Sequence, residues 1–310
     1  MSHPSSRTPA ALERPLQIGV VGAGRVGAVL AAALRSAGHD IVAVAGESDA
    51  SRGRIEALLP GVDVDKPSAV ARACDLLLLT VPDDMLGNVV SVLADSGALR
   101  EGQVVVHTSG RHGLAVLAPA IARGARAIAL HPAMTFTGTA VDLDRLSGCV
   151  FGLTAEDAER ELAGRLVDDL GGRAMWVAES RRALYHAGLA HGANHLVTLV
   201  TEAMEMLAAA GADDPAATLR PLLTAALDNA LEHGDAALTG PIVRGDVNTV
   251  RAHLDSIGAE APTTMPTYLA LARATLSRAV TDGRITALRA LAINGALDRA
   301  AASRPAQTTP

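Results

Sequence analysis

Residues 16–30, LQIGVVGAGRVGAVL, decide the fold. An apolar run ends at Val21 and is followed by Gly22, Gly24 and Gly27 in the order G-x-G-x-x-G. This spacing suits a strand that turns directly into a helix. The first glycine makes the tight turn, the second lets a backbone approach a pyrophosphate, and the third lets helix and strand pack closely. Free N–H groups at the helix start, those of Arg25 and Val26 among them, are then able to hold phosphate with help from the helix dipole. Val26, Leu30, Ala33, Leu34 and Ala37 follow at helical spacing as the face toward a sheet.

Working outward, apolar strands alternate with helices. Gly38 and His39 end the first helix, and residues 41–45 form the second strand. A short helix spans 52–59, and 62–64 reads as a weak third strand. The run DLLLLTV at 75–81 is continuously apolar, as expected for a strand covered on both faces. Residues 104–106 and 127–130 make two more strands. Thr154 with Asp157 resembles a capping box that opens a helix reaching Leu170, and 174–177 is the last strand. Residues 15–178 are thus expected to form a doubly wound parallel α/β sheet of Rossmann type. Beyond Glu179 strand signals cease. Helical patterns at 181–210, 216–233, 246–256, 264–280 and 284–299 predict an all-α domain over 179–300, with disordered tails at 1–14 and 301–310.

Composition bounds the function. The 310 residues suffice for about two domains. Aromatic residues are only 2%, so Ala, Leu and Val must fill the cores. The net charge of -6 and the lack of basic runs argue against a nucleic-acid partner. Cys74 and Cys149 are the only cysteines, too few for a disulfide framework or a cysteine zinc site, and the histidines lack metal-binding spacing, so no metal is expected. No apolar run nears the ~18 residues of a membrane span, and the polar, Pro-rich start lacks a signal peptide's apolar core. The cytoplasm is the expected location.

The second strand ends at Ala45-Gly46 without a carboxylate and is followed by Glu47, Ser48, Ser51 and Arg52. Two hydroxyls and a guanidinium suit a 2′-phosphate, favouring NADP(H) over NAD(H), while Glu47 argues the other way. The alternative is that Ser48 or Ser51 only caps a helix and Arg52 is solvated. Val81, Pro82 and Asp83 follow one strand and Thr108 another, at the carboxyl edge where cofactors bind. Ser109 and His131 leave the same edge and are candidate catalytic residues, though Ser109 also suits a turn. His186, Ala190 and Asn194 share one face of the long helix, with His191 and His195 beside it. Arg244, after Gly240-Pro241, is suited either to clamp a substrate carboxylate or to pair with Asp246. Met265, Tyr268, Leu269, Ala272 and Leu276 form an apolar stripe that serves either a homodimer or an ordinary core.

Val81-Pro82-Asp83-Asp84, His107-Thr108-Ser109-Gly110, His131-Pro132, Tyr185-His186 with Asn194, and Leu238-Thr239-Gly240-Pro241 with Arg244-Gly245-Asp246 carry a resemblance. The chain resembles the 6-phosphogluconate dehydrogenase-like superfamily, which includes ketopantoate and pyrroline-carboxylate reductases. Within it, the chain is similar to the family that joins a Rossmann-like domain to the domain of unknown function DUF2520. The resemblance implies an oxidoreductase acting where the two domains meet, with ketopantoate as the leading substrate. It departs at one point. Hydroxyacid dehydrogenases of the superfamily place a catalytic lysine one turn before an asparagine, where this chain has Ala190 before Asn194; Lys66, the sole lysine, belongs near the third strand. A lysine-free reduction is therefore expected, with protonated His186 or His131 as acid, Asn194 donating to the substrate oxygen and Arg244 holding its carboxylate. An NADP sensor, a scaffold of the same fold and an imine reductase are the alternatives.

Overall fold

Four consecutive leucines show how the sheet is built. In β3 (Leu76–Leu79) every residue is buried, because successive side chains point to opposite faces and both faces are covered. Leu76 and Leu78 enter one core with Ile18, Val20, Leu30, Val106 and Ile128. Leu77 and Leu79 enter a second with Val21, Val90, Leu93 and Val105. The computed structural model describes residues 15–46 and 48–302; Glu47 and the predicted tails before 15 and after 302 lie outside them.

Among the described residues the other strands are β1 (Gln17–Val21), β2 (Asp40–Ala45), β4 (Val104–His107), β5 (Arg126–Pro132), β6 (Val150–Ala155) and β7 (Arg173–Trp176). They join β3 in one sheet of order β2-β1-β3-β4-β5-β6-β7. Helices α1 (Arg25–Ser36), α2 (Asp49–Leu58), α3 (Pro67–Ala73), α4 (Asp83–Asp95) and α5 (Arg160–Asp169) connect them. Pro82 ends the chain's path out of β3 and caps α4, whose first turn carries Asp83 and Asp84 where the helix dipole favours negative charge. Cys74 and Cys149 are free and buried, and burial pushes the Cys74 thiol up to about 11.

Three expectations are corrected. The sheet is mostly parallel, but β6 pairs antiparallel with β5. The predicted strand at 62–64 is a single bridge from Val64 to Val44. Thr154 lies in β6 rather than capping a helix: its hydroxyl donates to the Val177 carbonyl at 2.6 Å, and α5 begins only at Arg160.

Beyond the sheet come α6 (Arg182–Ala209), α7 (Pro215–His233), α8 (Val247–Glu260), α9 (Met265–Thr281) and α10 (Ala287–Ala302), so Ala301 and Ala302 are helical rather than part of a tail. Val250, Leu254, Met265, Leu269, Leu276, Ile293 and Leu297 form their core. The predicted dimer stripe on α9 is this core's own wall, with Tyr268 packed at its edge. Two compact units divide inside α6, the first running to Ala190 and the second starting at His191. Among the described residues no helix is long and apolar enough to cross a membrane.

Candidate active site

The glycine turn is built as its spacing requires. Gly22 has φ +103°, and a Cβ there would lie 2.8 Å from the Thr80 carbonyl carbon. Gly27 sits against the Gly22 carbonyl and the Thr80 hydroxyl. That hydroxyl donates to the Gly22 carbonyl at 2.5 Å, a brace from the end of β3 that sequence reading missed. Gly24 is different, since the nearest atom to a Cβ placed there is 4.0 Å away. It is the N-cap of α1, no side chain caps it, and no acid lies in the first turn. Among the described residues, the start of this 12-residue helix therefore offers the backbone N–H groups of Arg25 and Val26 next to the open side of Gly24. These residues fit a dinucleotide's pyrophosphate.

At the end of β2, the Ser48 hydroxyl accepts the Ser51 N–H at 3.2 Å and donates to the Ser51 hydroxyl at 2.9 Å. Ser48 thus caps α2. The exposed guanidinium of Arg52 makes no hydrogen bond among the described residues. After β5, the buried Asp142 carboxylate accepts the N–H groups of Thr137 (2.8 Å) and Gly138 (2.7 Å), fixing a loop. Gly138 packs there against Arg25 and Arg54. Arg54 was not picked out from the sequence, because only this loop brings it near the turn.

The strand ends gather a second group of side chains. Val81 and Asp83 are half-buried beyond β3, Pro82 is exposed, and Thr108 is half-buried beyond β4. His107, fully buried, has Nε2 2.8 Å from the Gly113 carbonyl, and its Nδ1 accepts the Ser109 N–H at 3.1 Å. The two contacts fix a neutral ring with its proton on Nε2. Burial, and then the charge of Arg182, push His107 down to about 4. The Ser109 hydroxyl accepts the His112 N–H at 3.1 Å. Ser109 therefore holds a turn, the alternative that its sequence position left open.

Arg182 opens α6 and is completely buried. It donates to the Ser109 carbonyl (2.6 Å), the Thr154 hydroxyl (3.0 Å) and the Gly152 carbonyl (3.3 Å), while its Nε has no partner. Among the described residues no carboxylate forms an ion pair with it. One turn on, the Tyr185 hydroxyl lies 2.9 Å from His131 Nδ1. His186 meets the same ring edge-on, with centroids 5.8 Å apart. Gly110 makes room for this: a Cβ there would lie 2.9 Å from His131 Nε2 and closer still to the His186 ring. Burial first, then Arg182 and His186, push His131 down to about 4. His131 is thus neutral at pH 7, which corrects the expectation of a protonated His131. Burial raises the Tyr185 phenol against the opposing pull of Arg182, so it keeps its proton. The structure brings His131 and His186 together; Arg182 and Tyr185, which face His131, were missed as functional groups.

No curated protein matches the chain. The Rossmann-like domain family matches residues 1–132, and DUF2520, a domain of unknown function, matches residues 149–275. The chain is a Rossmann-like DUF2520 protein. Solved structures share its fold. A Bacteroides fragilis protein named for NADP oxidoreductase activity is 20% identical with a TM-score of 0.72, over 84% of this chain and 98% of that one. A Thermotoga maritima protein is 19% identical with a TM-score of 0.64, over 86% and 99%. An imine reductase from a Pseudomonas species is 18% identical with a TM-score of 0.62, over 93% and 100%.

The remaining candidates of this DUF2520 protein lie in its second unit. Asn194 is exposed on α6 and makes no hydrogen bond among the described residues. His191 and His195 are exposed and pair with each other, Nδ1 to Nδ1 at 3.0 Å. Arg244 is exposed, its carbonyl accepts from Arg289, and its charge helps hold the Asp246 carboxyl below the usual range after the hydrogen bonds from Thr249. Among the described residues no group of three or more His, Cys, Asp or Glu is placed to hold a metal ion.

Proposed function

We propose that this protein is a nicotinamide-dependent reductase of a small oxo-acid or imine, using NADP(H) in preference to NAD(H). The observation that carries the reading is the uncapped, unobstructed start of α1 at Gly24, braced by Gly22, Gly27 and Thr80. A bound reduced nicotinamide supplies a hydride; the chain must position the acceptor and supply a proton. The backbone of Gly22, Gly24, Arg25, Val26 and Gly27 would hold the pyrophosphate. Arg52, which makes no hydrogen bond among the described residues, would meet the 2′-phosphate beside Ser48 and Ser51, and cationic Arg25 and Arg54 support the same anion. Val81, Pro82, Asp83 and Thr108 would line the remaining cofactor path at the sheet's carboxyl edge. Ketopantoate is the substrate that the family resemblance suggests. The roles of Asn194 and Arg244 in holding it are not needed for this reading.

The test is cofactor binding followed by turnover. NADPH should quench or shift the fluorescence of the one tryptophan or gain fluorescence itself, and Arg52→Ala should weaken NADPH about tenfold or more while leaving NADH nearly unchanged. Equal effects on both cofactors defeat the NADP preference. Binding without NADPH oxidation on 2-oxo acids and cyclic imines favours a sensor.

We also propose a homodimer, on a different surface from the stripe read in the sequence. From Ala183 to Thr201 no residue carries a formal charge, and α6 there is largely exposed. On α7, Leu222, Leu227 and Leu231 are exposed too. With about 100 Å² of apolar surface per leucine side chain, the exposed leucines and valine of these helices offer on the order of 300 Å². A standard interface takes ~450 Å² of apolar surface from each partner. A second copy, bringing the same uncharged helix, is the partner that this surface fits.

A further inference from the structure

The sequence supplies no lysine near the site, and burial leaves the His131 ring neutral, so an acid there has to be the neutral imidazole and not an imidazolium. Tyr185 and His131 share one hydrogen bond of 2.9 Å, between the phenol oxygen and Nδ1, with their rings at 89°. Two protons are available to this pair, one on the phenol and one on the imidazole. If the imidazole donated from Nδ1, the phenol proton would have no acceptor among the described residues, because the other group bonded to the Tyr185 oxygen, the Gly152 backbone N–H, is itself a donor. If the phenol donates, every group is satisfied: Nδ1 accepts and the imidazole proton sits on Nε2. That atom makes no hydrogen bond among the described residues and is not among the buried unpartnered atoms. It emerges over Gly110 beside the His186 ring.

We propose that His131 and Tyr185 form a proton relay, in which His131 Nε2–H is the acid toward the substrate and Tyr185 replaces the proton through Nδ1. The proposal rests on the reductase reading. As the substrate carbon takes the hydride, its oxygen or nitrogen takes the electron pair and the Nε2 proton. The Nε2–H bond breaks, the phenol O–H bond breaks, and a new N–H bond forms at Nδ1. The ring stays neutral throughout and ends as the other tautomer. The phenolate left behind faces Arg182, whose guanidinium carbon lies 6.0 Å from the ring centroid; after product leaves, Nε2 takes a proton from water and the Nδ1 proton returns to the phenolate, which restores the starting tautomer. Arg182 thus has two uses in one place: it disfavours a charged imidazole and favours a transient phenolate. His131 is the catalytic residue; Tyr185 and Arg182 act through it. The other groups facing His131 are His186 on α6, His107 on β4 and Asp83 at the start of α4. Asp83 opposes the three cations or potential cations, and its effect ranks below those of Arg182 and His186.

The experiment uses the full chain labelled with ¹⁵N-histidine, assigned with His131→Gln, and long-range proton–nitrogen spectra at neutral pH. The expected result is a neutral His131 protonated on Nε2, whose Nδ1 resonance moves toward that of a free nitrogen in Tyr185→Phe. A His131 protonated on Nδ1, or on both nitrogens, overturns the relay whatever the enzyme does. The chain has two tyrosines, so Tyr268→Phe lets ultraviolet titration follow Tyr185 alone. In Arg182→Met its phenol should titrate at higher pH, and an unmoved titration overturns the phenolate role. With NADPH and a panel of 2-oxo acids and cyclic imines, Tyr185→Phe should lower kcat about 10²-fold, leave NADPH affinity unchanged, and add nothing to the loss in His131→Gln. Full turnover in Tyr185→Phe overturns the relay. A wild-type chain that oxidises no NADPH on any of these compounds overturns the reductase reading instead, and the tautomer still decides the hydrogen bond.

Discussion

Replacing Arg182 by methionine sets two large effects against each other. The guanidinium is fully buried and makes two hydrogen bonds of good length, to the Ser109 carbonyl at 2.6 Å and the Thr154 hydroxyl at 3.0 Å, with a longer one to Gly152. Hydrogen bonds to charged groups contribute about 1.5–3 kcal/mol each, so about 3–6 kcal/mol is lost. Against this, a buried charge without an ionic partner costs several kcal/mol in desolvation, and methionine removes it while filling the space of the stem. Thr154 keeps its bond to Val177, so the main group orphaned is the Ser109 carbonyl, at about 1–3 kcal/mol. The net expectation is a loss near 2 kcal/mol, or roughly 4–8 °C in Tm for a unit of this size. Calorimetry checks this. The same variant should let His131 and His107 titrate above about 4, but short of the ordinary value, because burial, the larger cause, remains. Arg182→Lys should restore the low histidine titration but not the Tm, since an ammonium keeps the charge and loses the planar fork. A variant of Arg182→Met that is more stable than wild type, or whose His131 titration does not move, refutes this account.

Two other predictions follow from features outside Arg182. His107 and His131 each fall from 6.5 to about 4 in the fold, so the unfolded chain binds protons that the folded chain refuses; stability is complete above pH 6.5 and declines as pH falls toward 4, by up to about 3 kcal/mol per histidine. Urea unfolding at stepped pH measures the decline, and a flat profile between 6.5 and 4 contradicts it. For the dimer, Leu231→Asp combined with Leu222→Asp should give a monomer by light scattering while α-helical circular dichroism stays unchanged, and a wild-type monomer at micromolar concentration removes the proposal.

What the sequence made legible follows from the range of each signal. The turn Gly22–Gly27 and the strands β1 to β4 are short-range patterns: glycine spacing, unbroken apolar runs and a proline stop. The β6 strand hid because VFGLTA has no clear alternation and because Thr154 and Asp157 imitate a helix start. The weak strand at 62–64 gave one bridge because three residues, with Val64 half exposed, cannot bury enough surface to extend the sheet. His131 and His186 could be singled out as candidates because the end of a strand and the face of a helix are local features. Arg182 was not, because its partners lie 28, 30 and 73 residues away.

The division between the two units inside α6 bears on how this protein can be taken apart. A fragment cut at residue 178, where strand signals end, keeps all seven strands yet loses Arg182 and Tyr185. The carbonyls of Ser109 and Gly152 would then face water, and His131 would lose its hydroxyl partner. A chimera that exchanges the helical half of this protein for another must be spliced after Ala190, in mid-helix, with the helical phase preserved. A graft at the loop before α6 would bring a foreign first turn to the sheet, and with it a foreign set of charges behind the histidines. Recombination between relatives should therefore tolerate crossovers within this helix better than at the loop that precedes it.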